Sequence, residues 1–287
     1  RSVDDVLWHY CLGVGAPPVQ VDGGAGAPAE TSQANCSSVG VMTAEGPVIA
    51  RNYDFFYFET WRHLVTVKPQ RALSHTGMWP GLLGGRHDGE NEAGVWVSIH
   101  GGGCRPPAKP TPGIVFHLLC RIVLETCSSA KEAVDLLQSV PHIASYNFFI
   151  ADTDEMYVVE AHPEKTAVRT PEDGVLVCTN HPIHDDLVPM TATPILENSR
   201  RRAAFLRCGA ADAVFGAACS GGGASDAAAG LQLLMRDHSV PVCGHDDGLA
   251  TFWSAVCIPQ RRHVAYTLGA PCRNEYEDAR WPDNKVP

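Results

Sequence analysis

The chain has 287 residues, 45% of them hydrophobic and 19% charged, an ordinary globular composition with enough length for a substantial core. Its formal net charge is −10 and no basic cluster exceeds Arg200-Arg201-Arg202, which argues against nucleic acid as a partner. The most apolar stretch, Ile114 to Leu124, is broken by His117 and Arg121 and is too short for a membrane span, so the reading is a soluble protein.

Eleven cysteines are spread over the chain without tight CxxC pairs, and the count is odd. In a chain this long, that pattern predicts reduced thiols in a cytoplasmic protein rather than a disulfide scaffold. The chain starts at Arg1, so it is read as beginning inside a longer natural chain, with secretion the minority reading. Residues 13 to 34 are rich in Gly, Ala and Pro and read as a linker. Residues 1–35 are therefore set apart, either as an N-terminal pro-segment that is cut away or as a disordered chain end, which composition does not separate, and 36–287 as the functional domain.

The stretch from Cys36 to Asp54 organises the rest. Val39 and Val41, then Val48 to Ala50, are short apolar segments joined by Glu45-Gly46-Pro47, a hairpin signal. Such a hairpin brings its outer ends together, with the Cys36 thiol at one and Arg51 and Asp54 at the other. A cysteine attacks as thiolate, and a nearby guanidinium favours that form. The general base missing from the stretch is supplied if the Asn35–Cys36 bond is cut, because a free α-amine titrates near pH 8 and can take and return a proton. Asp54 would orient that ammonium.

Downstream, Phe55 to Trp61 is aromatic and reads as core filling or as an apolar wall for an acyl group, with Tyr53 and Phe55 the pocket candidates. Leu64 to Val67 reads as a strand, and Gly77 to Gly85 as a glycine-rich loop with Met78 and Trp79 near its tip. Gly94 to His100 alternates like a strand and ends in Gly101-Gly102-Gly103, where a backbone can approach a ligand. Thr111-Pro112 predicts a helix over Gly113 to Glu125, and Ser129-Ala130-Lys131-Glu132 is a capping box opening a second.

Asn147 to Ala151 and Met156 to Ala161 form a hairpin around Asp152 to Glu155, which lacks the glycine and terminal glutamate of a calcium loop. Val175 to Cys178 is a short strand with Asn180 and His181 after it. Helices are expected at Pro194 to Cys208 and Ser225 to His238, with a surface loop between them. The triple arginine at 200 to 202 reads as a solvated helix face, with a functional arginine as the alternative. Thr251 to Ile258 and His263 to Leu268 close the chain as a hairpin.

His238, Cys243, His245, Asp246 and Asp247 form the one cluster that rivals Cys36, since zinc accepts such ligands. The spacing Cys-x-His-Asp-Asp lacks the second well-spaced pair of a structural site, so no metal or other cofactor is expected.

Four stretches in order carry a resemblance: Cys36-x-x-Val39 with Gly46-Pro47-Val48-x-x-Arg51-Asn52-Tyr53-Asp54, then His87 to Val95, then Cys178-Thr179-Asn180-His181, and a tail from Asp237 to Cys272. Together they resemble the N-terminal-nucleophile (Ntn) cysteine hydrolases of the isopenicillin-N acyltransferase type, relatives of choloylglycine hydrolase and penicillin V acylase. The element order alone indicates an α+β protein with two stacked sheets; the resemblance implies the four-layer αββα sandwich.

It also implies an amidase or acyltransferase made as a precursor, cut between Asn35 and Cys36 and acting on a small N-acyl amide, with an acyl thioester as a further donor class. Asn180 takes the oxyanion role by that resemblance. Where the bile-acid hydrolase branch has an asparagine, this chain has His100 and Gly101, so backbone donors are expected there instead. Two other readings stand beside it: a papain-like pair of Cys36 with His100 or His181 and no self-cleavage, and a zinc-binding structural module. Oligomeric state, including a homo-oligomer, is not specified by the sequence.

Overall fold

Glu45-Gly46-Pro47 does turn the chain, joining β1 (Ser37–Thr43) to β2 (Gly46–Phe56) as an antiparallel pair in which Ser37 faces Asn52. The computed structural model describes residues 36–56, 63–79, 84–109, 111–192, 197–220, 223–245 and 249–279. The turn needs glycine: Gly46 has φ +107°, and a Cβ there would sit 2.3 Å from the Thr153 carbonyl oxygen.

β1 and β2 are central in a six-stranded sheet. Its other members are β10 (Val175–Cys178), β11 (Leu249–Ile258), β12 (His263–Thr267) and β13 (Glu277–Asp278), in the order β10-β1-β2-β11-β12-β13. A second sheet runs in chain order through β3 (His63–Val67), β4 (His75–Trp79), β5 (Asp88–Asn91), β6 (Trp96–Gly101), β7 (Tyr146–Ala151), β8 (Met156–His162) and β9 (Lys165–Arg169). Every pairing within both sheets is antiparallel. Neighbours in sequence can therefore pair directly, as they do in six consecutive steps of the second sheet.

Alternation along the strands separates three apolar layers. From β2, Ile49 and Tyr53 enter the core between the sheets with Trp96, Phe149 and Trp253. Val48 and Ala50 point the other way, against α3 (Glu197–Ser220) and α4 (Ala224–Met235) through Leu206 and Leu231. On the far side, α1 (Phe116–Thr126) and α2 (Ala130–Ser139) cover the second sheet, with Leu119, Val123 and Leu137 against Val97, Phe148 and Val159. The result is the expected αββα sandwich. Close approach of the sheets explains Gly40, where a Cβ would lie 2.6 Å from Met156 Sδ and 2.7 Å from Phe149 Cζ.

Three local expectations are corrected. Gly77 to Trp79 lies in β4 rather than in a loop: a Cβ on Gly77 would be 2.1 Å from the Asp88 carbonyl oxygen, so this glycine serves a tight strand pairing. Helix α1 starts at Phe116, because Ile114 is still extended, bridged to His142 with its amide donating to the Pro141 carbonyl. Helix α3 continues to Ser220 through the Gly/Ala-rich stretch read as a surface loop. The Ser129 cap is as expected, its hydroxyl accepting from the Glu132 amide. Among the described residues no helix is long and apolar enough to cross a membrane.

Candidate active site

The β1–β2 register brings Cys36 to the same end of the first sheet as Arg51 and Asp54. All three are buried. Strand alternation sends Arg51 and Tyr53 between the sheets, while Asn52 reaches the helical side and donates to the Met235 and Val242 carbonyls.

Arg51 is fully enclosed. It donates to the carbonyls of His87 (2.9 Å) and Ile99 (2.8 Å) and is ion-paired to Asp88. Its guanidinium lies 5.4 Å from the Tyr53 ring centroid and 5.8 Å from that of Trp253. Asp88, rather than Asp54, is thus its counter-ion, and Trp253 Nε1 (2.7 Å) and the Tyr266 hydroxyl (3.1 Å) also donate to Asp88. The His87 to Val95 stretch is accordingly structural: Asp88 neutralises Arg51. Asn91 accepts from the Ala93 and Val95 amides and donates to the Leu124 and Cys127 carbonyls.

Asp54 accepts from Thr251 Oγ1 at 2.6 Å, while its Oδ2 has no partner among the described residues. Burial raises its pKa to about 7, against the lowering effect of that hydrogen bond and of Arg202 and Arg51. Burial likewise raises the Cys36 thiol; Arg51 pulls it down, Asp54 raises it, and Arg202 lowers it. A cationic partner placed near residue 36 would satisfy the unpaired carboxylate oxygen and favour the thiolate together.

Arg202 is the residue the sequence reading placed wrongly. Arg200 and Arg201 are exposed, but Arg202 is 0% exposed. Its Nη1 donates to the Cys36 carbonyl (2.7 Å) and Ser37 Oγ (2.8 Å), its Nη2 to Asn180 Oδ1 (3.0 Å), and its Nε to Asn198 Oδ1 (2.6 Å). One guanidinium therefore ties the Cys36 backbone to Asn180. A signal existed: Ser199, Arg202, Leu206 and Ala210 are all buried and follow helical spacing, so Arg202 sits on the inward stripe of α3.

Asn180 follows β10, fixed by Arg202 on its amide oxygen and by Ser199 Oγ on its backbone N–H (2.7 Å), with its Nδ2 3.4 Å from the Gly101 carbonyl. His100 is buried, its Nε2 3.0 Å from Ser38 Oγ; burial first, then Arg51 and Arg202, hold it well below the usual histidine pKa. His181 Nδ1 is 2.8 Å from Ser199 Oγ, and burial with Arg200 and Arg169 lowers its pKa to about 4. His100 Nε2 and His181 Nδ1 both lie against hydroxyls, and among the described residues neither imidazole is hydrogen-bonded to the Cys36 thiol.

Of the expected backbone donors beyond His100, the Gly102 amide is committed to the Ser145 carbonyl at 3.1 Å. Tyr53 is buried and stacks on Trp253 at 3.9 Å, whereas Phe55 is half-buried beside it, so the pocket wall suits Phe55 better. Asn35 and the segment 57–62 lie outside the described residues. His238, Cys243 and His245 come together, while Asp246 and Asp247 are outside the described residues.

The profile of a family described as acyl-coenzyme A:6-aminopenicillanic acid acyl-transferase matches residues 41–206, more than half of the chain. That span takes in Arg51, Asp54, His100, Asn180 and Arg202 and begins five residues after Cys36. No curated protein matches the sequence.

Among solved structures, an N-acylethanolamine-hydrolyzing acid amidase ortholog from Caenorhabditis elegans superposes with a TM-score of 0.56 at 16% identity, covering 78% of this chain and 93% of its own. Penicillin V acylase from Agrobacterium tumefaciens gives 0.53 at 17% identity, covering 81% and 83%. A mutant of conjugated bile acid hydrolase from Clostridium perfringens gives 0.53 at 13%, covering 85% and 97%. At these identities the likeness is one of fold, the Ntn-hydrolase sandwich.

Proposed function

The chain belongs to the acyl-coenzyme A:6-aminopenicillanic acid acyl-transferase family, and on that premise we propose that it is an autoproteolytically activated cysteine amidohydrolase or acyltransferase acting on small N-acyl amides. The observation that carries the reading is the placement of Cys36. It is the residue before β1, its carbonyl is held by Arg202, its thiol is under the field of Arg51, and Asp54 stands by with an oxygen that has no partner among the described residues.

In the precursor, the Cys36 thiolate attacks the Asn35 carbonyl carbon and the peptide nitrogen leaves, giving a thioester and a free α-amine on Cys36. Water then hydrolyses the thioester, leaving Asn35 as a carboxylate and restoring the thiol. Residues 1–35 become the released or retained segment and 36–287 the catalytic domain.

In the mature enzyme the neutral α-amine takes the thiol proton, and the resulting ammonium satisfies Asp54 Oδ2. Sulfur attacks the substrate amide carbon. The ammonium gives its proton to the departing amine, and an acyl thioester remains. Water yields a carboxylic acid, or a second amine yields a new amide; an acyl thioester donor would enter at the same intermediate. Asn180 Nδ2 is the side-chain donor for the developing oxyanion, oriented because Arg202 fixes its amide oxygen. A well-placed donor of this kind contributes roughly 3 kcal/mol. Phe55, half-buried beside Tyr53, is assigned to the apolar wall for the acyl group.

The test is mass spectrometry of protein quenched during turnover of an N-acyl amide, with a competing amine in a parallel sample. The reading expects an acyl adduct on Cys36 and, with the amine, either a new amide (transferase) or free acid alone (hydrolase). Turnover without any adduct on Cys36, or turnover retained in Cys36→Ala, would overturn it.

A further inference from the structure

Away from Cys36, three segments that share no element converge on one point. His238 follows α4, Cys243 and His245 lie on the loop leading to β11, and Cys272 comes from the turn after β12. One ligand atom from each of the four lies within 4.8 Å of all the others. The Cys243 Sγ to His245 Nε2 distance is 3.5 Å, and His245 Nε2 to Cys272 Sγ is 2.9 Å. A tetrahedral zinc with bonds of about 2.0 Å to nitrogen and 2.3 Å to sulfur places neighbouring N and S vertices roughly 3.6 Å apart. The cluster thus matches one edge and needs only sub-ångström to ångström adjustment of the rest.

We propose that His238, Cys243, His245 and Cys272 bind one zinc ion as a closed, structural Cys2His2 site. The donor set is the one zinc prefers, and four protein ligands leave no open position for catalysis. Binding takes up Zn2+ and releases the two thiol protons to solvent, so the ion, two thiolates and two neutral imidazoles form a site of zero net charge. Such a site tolerates its setting, since Cys243 is buried, His245 and Cys272 are half-buried, and the exposed His238 leaves a path for entry.

Each segment is already fixed from its own side: the Cys243 amide donates to the Asp237 carbonyl (3.1 Å), and the Arg273 and Asn274 amides both donate to the Ala270 carbonyl (3.0 and 3.1 Å). The fourth ligand, Cys272, stands 27 residues beyond His245, so the local spacing of the other three gave no sign of it. The site also adjoins the candidate active site. Gly244, between two of the ligands, exchanges hydrogen bonds with Thr251: its amide donates to Thr251 Oγ1 (2.9 Å) and its carbonyl accepts the Thr251 amide (3.0 Å). Thr251 Oγ1 in turn donates to Asp54. The ion would hold the loop that positions Asp54.

Metal content of the full chain, purified with reductant and without chelator, tests this directly, alongside Co2+ titration of the stripped protein. The expected result is about one zinc per chain, a cobalt–thiolate absorption band that zinc abolishes, and loss of both in Cys272→Ser and in His238→Ala. The His238 side chain is exposed and its ring meets that of His245 edge-on at 5.0 Å between centroids; circular dichroism of both variants verifies the fold. Zinc far below stoichiometry with no cobalt band, stoichiometric metal retained in both variants, or a Cys243–Cys272 disulfide in the reduced preparation would each overturn the proposal. The readout is metal, so none of these outcomes bears on the chemistry assigned to Cys36.

Discussion

Replacing Arg202 by lysine keeps the charge and removes the geometry. The guanidinium spans four acceptors on four residues, Cys36, Ser37, Asn180 and Asn198, using all three of its nitrogens. An ammonium offers three donors from a single point and cannot bridge that set. If lysine retains the Cys36 carbonyl and Ser37, which share one nitrogen, then the bonds to Asn180 and Asn198 are lost. Two charged hydrogen bonds at roughly 1.5–3 kcal/mol each put the gross loss near 3–6 kcal/mol, and relaxation leaves an expected destabilisation of about 3 kcal/mol. With Asn180 no longer held, an oxyanion donor out of place lowers kcat by about 10²-fold. Urea unfolding and steady-state kinetics on an N-acyl amide measure the two effects. Arg200→Lys and Arg201→Lys, both exposed, should stay within about 0.5 kcal/mol of the parent. Should Arg202→Lys behave like those two, the account of Arg202 as the link between Cys36 and Asn180 is wrong.

Asp54→Asn in a Cys36→Ala background isolates the carboxyl. Its folded pKa is raised to about 7, so the folded state binds the proton more tightly and the contribution of Asp54 to stability declines as pH rises from about 4 to about 7. Buried His75 and His181, both lowered to about 4, slope the opposite way over much of that range, so the parent-minus-variant difference is the informative curve; a flat difference contradicts the assignment. Asp88→Asn strands the buried Arg51 cation and should cost about 3–5 kcal/mol in a chemical denaturation; a cost under about 1 kcal/mol would show that Asp88 is not the counter-ion. Gly40→Ala drives a Cβ into Met156 and Phe149 and is expected to destabilise by about 1–3 kcal/mol, which a thermal melt can check against a neutral result.

How much of this was legible depends on whether a residue's reason lay nearby in sequence. The β1–β2 hairpin was, because a glycine-proline turn and flanking apolar residues are local, and it sufficed to bring Cys36 to Arg51 and Asp54. The capping box of α2 and the hairpin around Asp152 were legible for the same reason. Gly77 was misread because glycine has two uses: freedom in a loop, and absence of a side chain where two strands meet. Only the position of the Asp88 carbonyl tells them apart.

Gly209 repeats the lesson within α3, where a Cβ would lie 2.5 Å from a Leu234 methyl of α4, so a stretch that looked like a connection is a helix–helix contact. Arg202 was masked by two exposed arginines beside it, although the buried stripe through Ser199, Leu206 and Ala210 was there to be counted. Asp88 as partner of Arg51, and Cys272 as neighbour of His245, depend on long-range pairing that spacing does not encode.

The central claim is that Cys36 becomes the chain's own N-terminus and thereby gains its base. Intact mass and N-terminal sequencing of the purified protein, beside Cys36→Ala, test it most directly. The account predicts two fragments meeting between Asn35 and Cys36 in the parent, with cysteine as the new first residue, and one unbroken chain in the variant. A parent that turns over substrate while residues 35 and 36 remain joined, or a variant cut at the same bond, would contradict it.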